Sequence, residues 1–257
     1  MTKWNPELYL KFEDERTQPA RDLLARVNLH DPAAIIDIGS GPGNSTQVLH
    51  ERWPGARITG LDSSPEMIEK ARHKYPQQNW ILADAAAWQP ETLFDLVFSN
   101  ATLQWIPDHE RLVPALFAGV QEGGALAVQV PANSGSPLHQ AVLSVSQAPA
   151  WRDSMAGCSS LLNYRQPGYY YDLLSRLTGH FQIWTSVYYH VMQTHQDLID
   201  WYSSTGMRPY LERLPGDEQR REFQAQVLDA CRPAYPAQQD GKILFPFQRL
   251  FFVAYQR

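Results

Sequence analysis

Three glycines spaced by single residues, Gly39, Gly41 and Gly43, stand directly after a short apolar run in this 257-residue chain. The run over residues 33–38 is rich in β-branched side chains, which is typical of a buried parallel strand. A helical pattern resumes at Thr46. A strand, a tight turn and a helix N-terminus bring bare backbone N–H groups against a ligand. The stretch therefore predicts a ligand-binding turn.

Polar and small residues with suitable chemistry follow each of the next three predicted strands. They are Asp62 with Ser63, Asp84 with Ala85, and Asn100 followed by Gln104 and Trp105. Ligands of open α/β sheets bind at the carboxyl ends of the strands, so these side chains are expected to converge with the glycine turn. A single acid in such a place is a common cap. Suitable residues after four successive strands favour a binding site.

Two phosphate-binding interpretations of the glycine turn fail on its spacing. A dinucleotide-binding turn has the pattern G-x-G-x-x-G, and its third glycine permits close packing of the helix on the strand. Asn44 stands at that position here. A P-loop is excluded because no phosphate-binding lysine follows the glycines.

The run over residues 37–44, DIGSGPGN, resembles the first motif of class I S-adenosylmethionine-dependent methyltransferases. The resemblance implies that Asp62 accepts hydrogen bonds from both ribose hydroxyls of the methyl donor. It also implies that Asp84 faces the adenine amine and that Asn100 lies beside the methionine part and the sulfonium. The predicted donor-binding residues are Gly39, Ser40, Gly41, Asn44, Asp62, Ser63, Asp84, Ala85, Asn100, Gln104 and Trp105.

Strands and helices alternate strictly around these residues. After the first strand, further strands are predicted over residues 57–62, 80–84, 94–100 and 125–130, with helices between them. This alternation predicts an α/β fold with a doubly wound, Rossmann-like parallel sheet.

Helical patterns dominate the remainder of the chain, and we predict one methyltransferase domain over residues 1–257. Its core is expected to comprise residues of about 31–131 and strands near 181–192 and 242–256. A helical cap over the carboxyl ends of the strands is expected from residues 1–30, 132–180 and 193–241. Within the first cap segment, Pro19 predicts a boundary between two helices.

Composition narrows the possible partners and the compartment. The net charge of −5 argues against nucleic-acid and anionic-membrane partners, and the 44% hydrophobic content is that of an ordinary globular protein. Cys158 and Cys231 have no metal-ligand spacing, so we expect two free thiols and no metal. Residues 1–6 lack the apolar core of a signal peptide, and no apolar run is long enough to span a membrane. The prediction is a cytoplasmic protein.

Further motifs, spread over nearly the whole chain, resemble the bacterial trans-aconitate methyltransferases. The most specific are Trp4-Asn5-Pro6-x-x-Tyr9, Asn100-Ala101-x-Leu103-Gln104-Trp105-x-Pro107-Asp108-His109, Tyr188-Tyr189-His190-x-Met192, Thr205-Gly206-x-Arg208-Pro209 and Arg249-Leu250-Phe251. The resemblance implies that a small polycarboxylate, trans-aconitate, receives the methyl group as a monomethyl ester and that S-adenosylhomocysteine is the other product.

A carboxylate acceptor requires little from the protein's own acids and bases. With a pKa near 4 it is already an oxyanion at neutral pH, so no general base is expected and no catalytic residue is predicted. The acceptor needs cationic and hydroxyl groups that hold its other carboxylates. The predicted substrate-binding residues are Trp4, Tyr9, Arg16, His190, Arg208 and Arg249.

The sequence leaves four alternatives open. Arg16 could bind a carboxylate of the donor or of the substrate, and His190 could contact a ligand or be an internal strand histidine. Another small acid, or a phenol or quinone with His190 as base, could be the acceptor. A regulator that binds the donor without turnover is a further alternative.

Overall fold

The computed structural model describes residues 13–257. Within this range the strands are β1 (Ala34–Ile38), β2 (Arg57–Asp62), β3 (Asn79–Leu82), β4 (Phe94–Asn100), β5 (Val120–Pro131), β6 (Phe181–Met192) and β7 (Ile243–Tyr255). The α-helices are α1 (Glu13–Ala25), α2 (Asn44–Arg52), α3 (Pro65–Lys74), α4 (His109–Ala118), α5 (Pro137–Ser146), α6 (Pro167–Ser175), α7 (His195–Ser203), α8 (Arg208–Leu211) and α9 (Asp217–Cys231). Single 3₁₀ turns occupy Leu103–Trp105, Cys158–Ser160 and Arg232–Ala234.

The seven strands of the described residues form one sheet in the order β3-β2-β1-β4-β5-β7-β6. β1 pairs in parallel with β2 and β4, β2 with β3, and β4 with β5. The predicted doubly wound, Rossmann-like α/β fold is confirmed. The first five strands are parallel, as their alternation with helices predicts. β7, for which the sequence predicts no direction, runs antiparallel to β5, with Arg249 opposite Pro131 and Tyr255 opposite Ala125. The alternation of apolar residues predicts a strand but carries no information on its direction.

Three local predictions differ from the structure. β3 ends at Leu82 because Asp84 closes a turn by accepting the N–H two residues further on, at 2.9 Å. β5 begins at Val120, which pairs with Phe94 across an irregularity in the ladder. Pro19 lies inside the continuous helix α1 and does not separate two helices. Its ring is buried, and that burial offsets the lost backbone hydrogen bond.

The chain divides into two compact units. The first, here called the sheet unit, comprises Arg16–Pro131, Arg165–Ser186 and Arg249–Arg257. Its central strands are buried on both faces, as parallel strands covered by helices require. Ile35 and Ile36 of β1, Val97 of β4 and Leu126 of β5 have no exposed surface.

The second, here called the helical unit, includes Ala132–Tyr164 and Val187–Gln248 and has its own hydrophobic core. Trp201, Tyr210 and Phe223 are among its fully buried side chains. Both cysteines are buried free thiols, as expected. No helix in the described part of the chain is long and apolar enough to cross a membrane. The interpretation of this unit as a cap stays a prediction.

Asp95 holds together the amino ends of the central strands. Its Oδ2 atom accepts hydrogen bonds from the backbone N–H groups of Ala33 and Ala34, both at 2.8 Å. The side-chain amide of Gln121 donates to Oδ1. One carboxylate on β4 therefore satisfies donors at the start of β1 and on β5.

We expect Asp95→Ala to lower the free energy of unfolding by about 1–3 kcal/mol, because three donors lose a charged acceptor. Urea unfolding followed by circular dichroism measures this loss. Glu122→Ala, which removes an exposed carboxylate from β5, is the matched control. Equal unfolding midpoints for the two variants would contradict the role of Asp95.

Candidate active site

The glycine turn is confined on two sides and open on a third. The N–H groups of Gly39 and Ser40 both donate to the Leu61 carbonyl, at 2.7 and 3.0 Å. Gly39 has a φ of 71°, and a Cβ atom there would lie 2.1 Å from Oγ1 of Thr102. Gly41 has a φ of 55°, and a Cβ atom there would meet nothing within 4 Å. The turn is therefore held by β2 and by the loop after β4, while its middle faces open space.

Asp62 connects the glycine turn to the next loop. Its Oδ2 atom accepts from the N–H of Gly41 at 2.9 Å, and its Oδ1 atom accepts from the N–H of Ser64 at 2.8 Å. An ionised carboxylate has about four acceptor positions, so two remain after these bonds are made. The arrangement leaves capacity for two ligand hydroxyls.

Asp37 is a functional candidate that the sequence reasoning missed. It has no exposed surface, and its Oδ2 atom accepts from the hydroxyls of Ser45 at 2.6 Å and Thr46 at 2.7 Å. Burial is the main reason that the pKa of this carboxyl rises to about 6. Its Oδ1 atom has no hydrogen-bond partner among residues 13–257. An acid within an apolar run was the available signal, since a buried charge requires partners.

Unsatisfied polar atoms collect at the ends of β1 and β4. Within the described part of the chain, Oγ of Ser40, Oδ1 of Asn100 and Oε1 of Gln104 are buried and lack a hydrogen-bond partner. Nε2 of Gln104 donates to the carbonyl of Ala101 at 2.7 Å, which fixes the direction of the side chain. Because buried polar groups are nearly always satisfied, these atoms fit a polar ligand.

Most of the other predicted donor-binding residues are less enclosed. Asp84 and Ser63 are exposed at the ends of their strands, and Asn44 is partly exposed at the start of α2. Ala85 is buried, whereas Trp105 keeps 41% of its surface exposed.

His109 anchors the turn that carries Gln104, and the sequence reasoning assigned it no role. One ring nitrogen, Nε2, lies 2.8 Å from the Leu103 carbonyl, and the other, Nδ1, lies 2.9 Å from the hydroxyl of Tyr170. Burial is the main cause that lowers the pKa of His109. A neutral ring that donates from Nε2 and accepts at Nδ1 satisfies both contacts.

Arg249 and Arg16 are the predicted substrate-binding residues of the sheet unit. Arg249 is almost fully buried on β7, and its Nη1 atom donates to Oε1 of Gln129 at 3.3 Å. Arg16 is partly buried on α1. Trp4 and Tyr9 lie outside the described residues.

His190 and Arg208 belong to the helical unit. The ring of His190 packs against Trp201, with 4.6 Å between centroids, and lies 6.2 Å from Phe245. Arg208 is exposed at the start of α8 and pairs with Glu212 at 2.7 Å. Their roles as substrate contacts stay predictions.

The raised pKa of Asp37 makes a testable contribution to stability. The native state holds this proton up to its pKa of about 6, whereas the unfolded chain releases it near the ordinary carboxyl pKa of 3.8. The free energy of unfolding therefore falls as the pH rises through that window, by up to roughly 3 kcal/mol. We expect Asp37→Asn to remove this dependence, as urea unfolding of the ligand-free protein between pH 4 and 7 would measure. Parallel pH profiles for the two proteins would contradict it.

Comparisons with known proteins agree with this geometry. A family model described as a methyltransferase domain matches residues 35–124. Among solved structures, the YcgJ protein of Bacillus subtilis is 15% identical with a TM-score of 0.63, over 93% of this chain and 99% of that chain. A Haemonchus contortus phosphoethanolamine N-methyltransferase, in complex with S-adenosyl-L-methionine, is 14% identical with a TM-score of 0.56, over 93% of this chain and 53% of that chain. These structures share the fold.

Similarity in sequence is much higher to a group of curated proteins named trans-aconitate 2-methyltransferase. The protein of Rhodopseudomonas palustris is 44% identical over 99% of both chains. The protein of Escherichia coli O157:H7 is 45% identical over 99% of this chain and 98% of its own. The chain belongs to the trans-aconitate 2-methyltransferase family, within the class I S-adenosylmethionine-dependent methyltransferases.

Proposed function

We propose that this chain transfers a methyl group from S-adenosylmethionine to one carboxylate of trans-aconitate. The products are a monomethyl ester and S-adenosylhomocysteine. The observation that carries the proposal is the glycine turn held by Asp62, with buried and unsatisfied atoms of Ser40, Asn100 and Gln104 beside it. The names of the relatives, which match almost the full length of the chain, supply the acceptor.

The residues at the strand ends suit each part of the donor. The open backbone at Gly41 and the hydroxyl of Ser40 would meet its amino-acid part, and Asp62 would accept from its ribose. Asn100 and Gln104 would face the methionine part. When bound, the donor supplies an electrophilic methyl group on a sulfonium. Solved structures with this fold that hold S-adenosylmethionine or S-adenosylhomocysteine support this assignment.

The main contribution of the protein to the reaction is to position the donor and the acceptor. A carboxylate is ionised at neutral pH, so its oxygen attacks the methyl carbon directly and no side chain removes a proton. Rate enhancement then depends on alignment of the two groups and on removal of water from the attacking oxygen. The chain's residues bind and orient both molecules.

The acceptor's remaining carboxylates need fixed positive charge. Arg249 and Arg16 are the candidates in the sheet unit, and His190 and Arg208 are those in the helical unit. Trp4 and Tyr9 complete the proposed set. A guanidinium matches the planar geometry of a carboxylate through two parallel hydrogen bonds. The acidic net charge and the two free thiols fit a cytoplasmic enzyme with a small polycarboxylate partner, and no metal is required by this chemistry.

The reaction is tested with methyl-labelled S-adenosylmethionine and a panel of small polycarboxylates and phenols. We expect label on trans-aconitate and its release as methanol under mild alkali, because esters hydrolyse whereas aryl ethers do not. Alkali-stable label would indicate a phenolic acceptor instead. Tight donor binding with no transfer to any compound would indicate a regulator.

The donor site is tested by Asp62→Asn. We expect the affinity for S-adenosylhomocysteine to fall by at least about tenfold, because a charged acceptor for ribose hydroxyls and backbone N–H groups is lost. Titration calorimetry measures the affinity. Asp229→Asn, which changes an exposed acid on α9, is the control and should bind normally. Equal affinities for the two variants would remove Asp62 from the proposed site.

A further inference from the structure

We infer that Gln129 is a positioning residue that aims the guanidinium of Arg249 at a carboxylate of the acceptor without adding a negative charge beside it. The inference deepens the proposed function and rests on it. It assigns a role to a residue that no motif marked.

The register of the sheet places the two side chains together. Gln129 on β5 lies opposite Phe251 of β7, and Arg249 lies opposite Pro131, so Gln129 and Arg249 point to the same face. Nη1 of Arg249 donates to Oε1 of Gln129 at 3.3 Å. Gln129 has no exposed surface and Arg249 only 4%. The pair is therefore formed inside the protein, where its geometry is well defined.

The pair also lies at the ligand-binding edge of the sheet. Gln129 is the register partner of Asn100, the last residue of β4, and its carbonyl accepts from the N–H of Ala101 at 2.9 Å. Asn100 is one of the residues assigned above to the methionine part of the donor. An acceptor group held by Arg249 would thus be near the strand ends where the methyl group is delivered.

The choice of an amide at position 129 has a clear electrostatic consequence. A carboxylate would form a buried ion pair with Arg249 and compensate its charge. The amide oxygen accepts the same hydrogen bond and fixes the guanidinium plane, yet adds no negative charge. Within residues 13–257, Nε2 of Gln129 has no hydrogen-bond partner, so it adds a donor beside the guanidinium. Donors beside a guanidinium fit an anionic, planar group.

Gln129→Glu tests the inference because it changes charge with almost no change in size. We expect the affinity for trans-aconitate, measured by calorimetry with S-adenosylhomocysteine bound, to fall by about 30-fold or more. The affinity for S-adenosylhomocysteine should be unchanged. The midpoint of thermal unfolding should be unchanged or raised. If Gln129 has only a structural role, the affinity for trans-aconitate should be unchanged in Gln129→Glu, since a new ion pair would leave acceptor binding intact.

A second variant and a set of acceptors keep the inference testable if Gln129→Glu is poorly folded. Gln129→Met removes the orienting oxygen and keeps the volume, and it should raise the KM for trans-aconitate with little change in kcat. Itaconate, mesaconate and glutaconate each lack a different one of the three carboxylates of trans-aconitate. One of these compounds should bind the wild type much less tightly than trans-aconitate does, because it lacks the carboxylate that the Arg249–Gln129 pair holds. In Gln129→Met the difference in affinity between that compound and trans-aconitate should be much smaller.

The outcomes separate the two proposals. If the wild type binds trans-aconitate and either variant binds it with the same affinity, the role proposed for Gln129 is wrong. The proposed reaction would not be affected by that result. A wild type that binds no polycarboxylate would overturn the proposed function, and the inference with it.

Discussion

The structure depends on how closely the backbone of β1 can approach its neighbours after the strand ends. Leu61 accepts two successive N–H groups from the glycine turn, and Thr102 occupies the space that a side chain at Gly39 would need. The ends of β2 and β4 therefore clamp the turn from both sides. Only the middle of the turn, at Gly41, remains open, and the hydrogen bond from Gly41 to Asp62 fixes the direction of that opening.

Four polar residues, three of them buried, lie in a row on one face of the sheet. Asp37 is the register partner of Phe98, two residues before Asn100, and Asn100 is in turn the partner of Gln129, beside Arg249. Residues two apart on a strand share a face, so these four side chains lie on the same side. Burial of such groups lowers stability unless each is satisfied, and their concentration at the strand ends is typical of a site that gives up stability for function.

Local pattern predicted the elements well and their tertiary relations poorly. The apolar runs of β1, β2 and β4 are each followed directly by glycine or by polar residues, so the ends of these strands could be predicted. The direction of β7 and the continuity of α1 through Pro19 depend on packing that no local pattern reports. The proposed donor-site residues could be identified from the sequence because they belong to one motif and to successive strand ends. The role of Gln129 could not be predicted from the sequence because it depends on contact with Arg249, 120 residues later in the chain.

The pairing of Pro131 with Arg249 has a consequence for how this fold can change. The chain leaves β5 at Pro131 and enters the paired part of β7 at Arg249, and these residues are neighbours in the ladder. The ends of the intervening segment are thus held at a fixed separation by the sheet. Arg165–Ser186, within that segment, belongs to the sheet unit, whereas Ala132–Tyr164 does not. Because the entropic cost of closing a loop grows only slowly with its length, lengthening of Ala132–Tyr164 would disturb the register between β5 and β7 little. The same sheet could in this way carry inserted segments of different kinds.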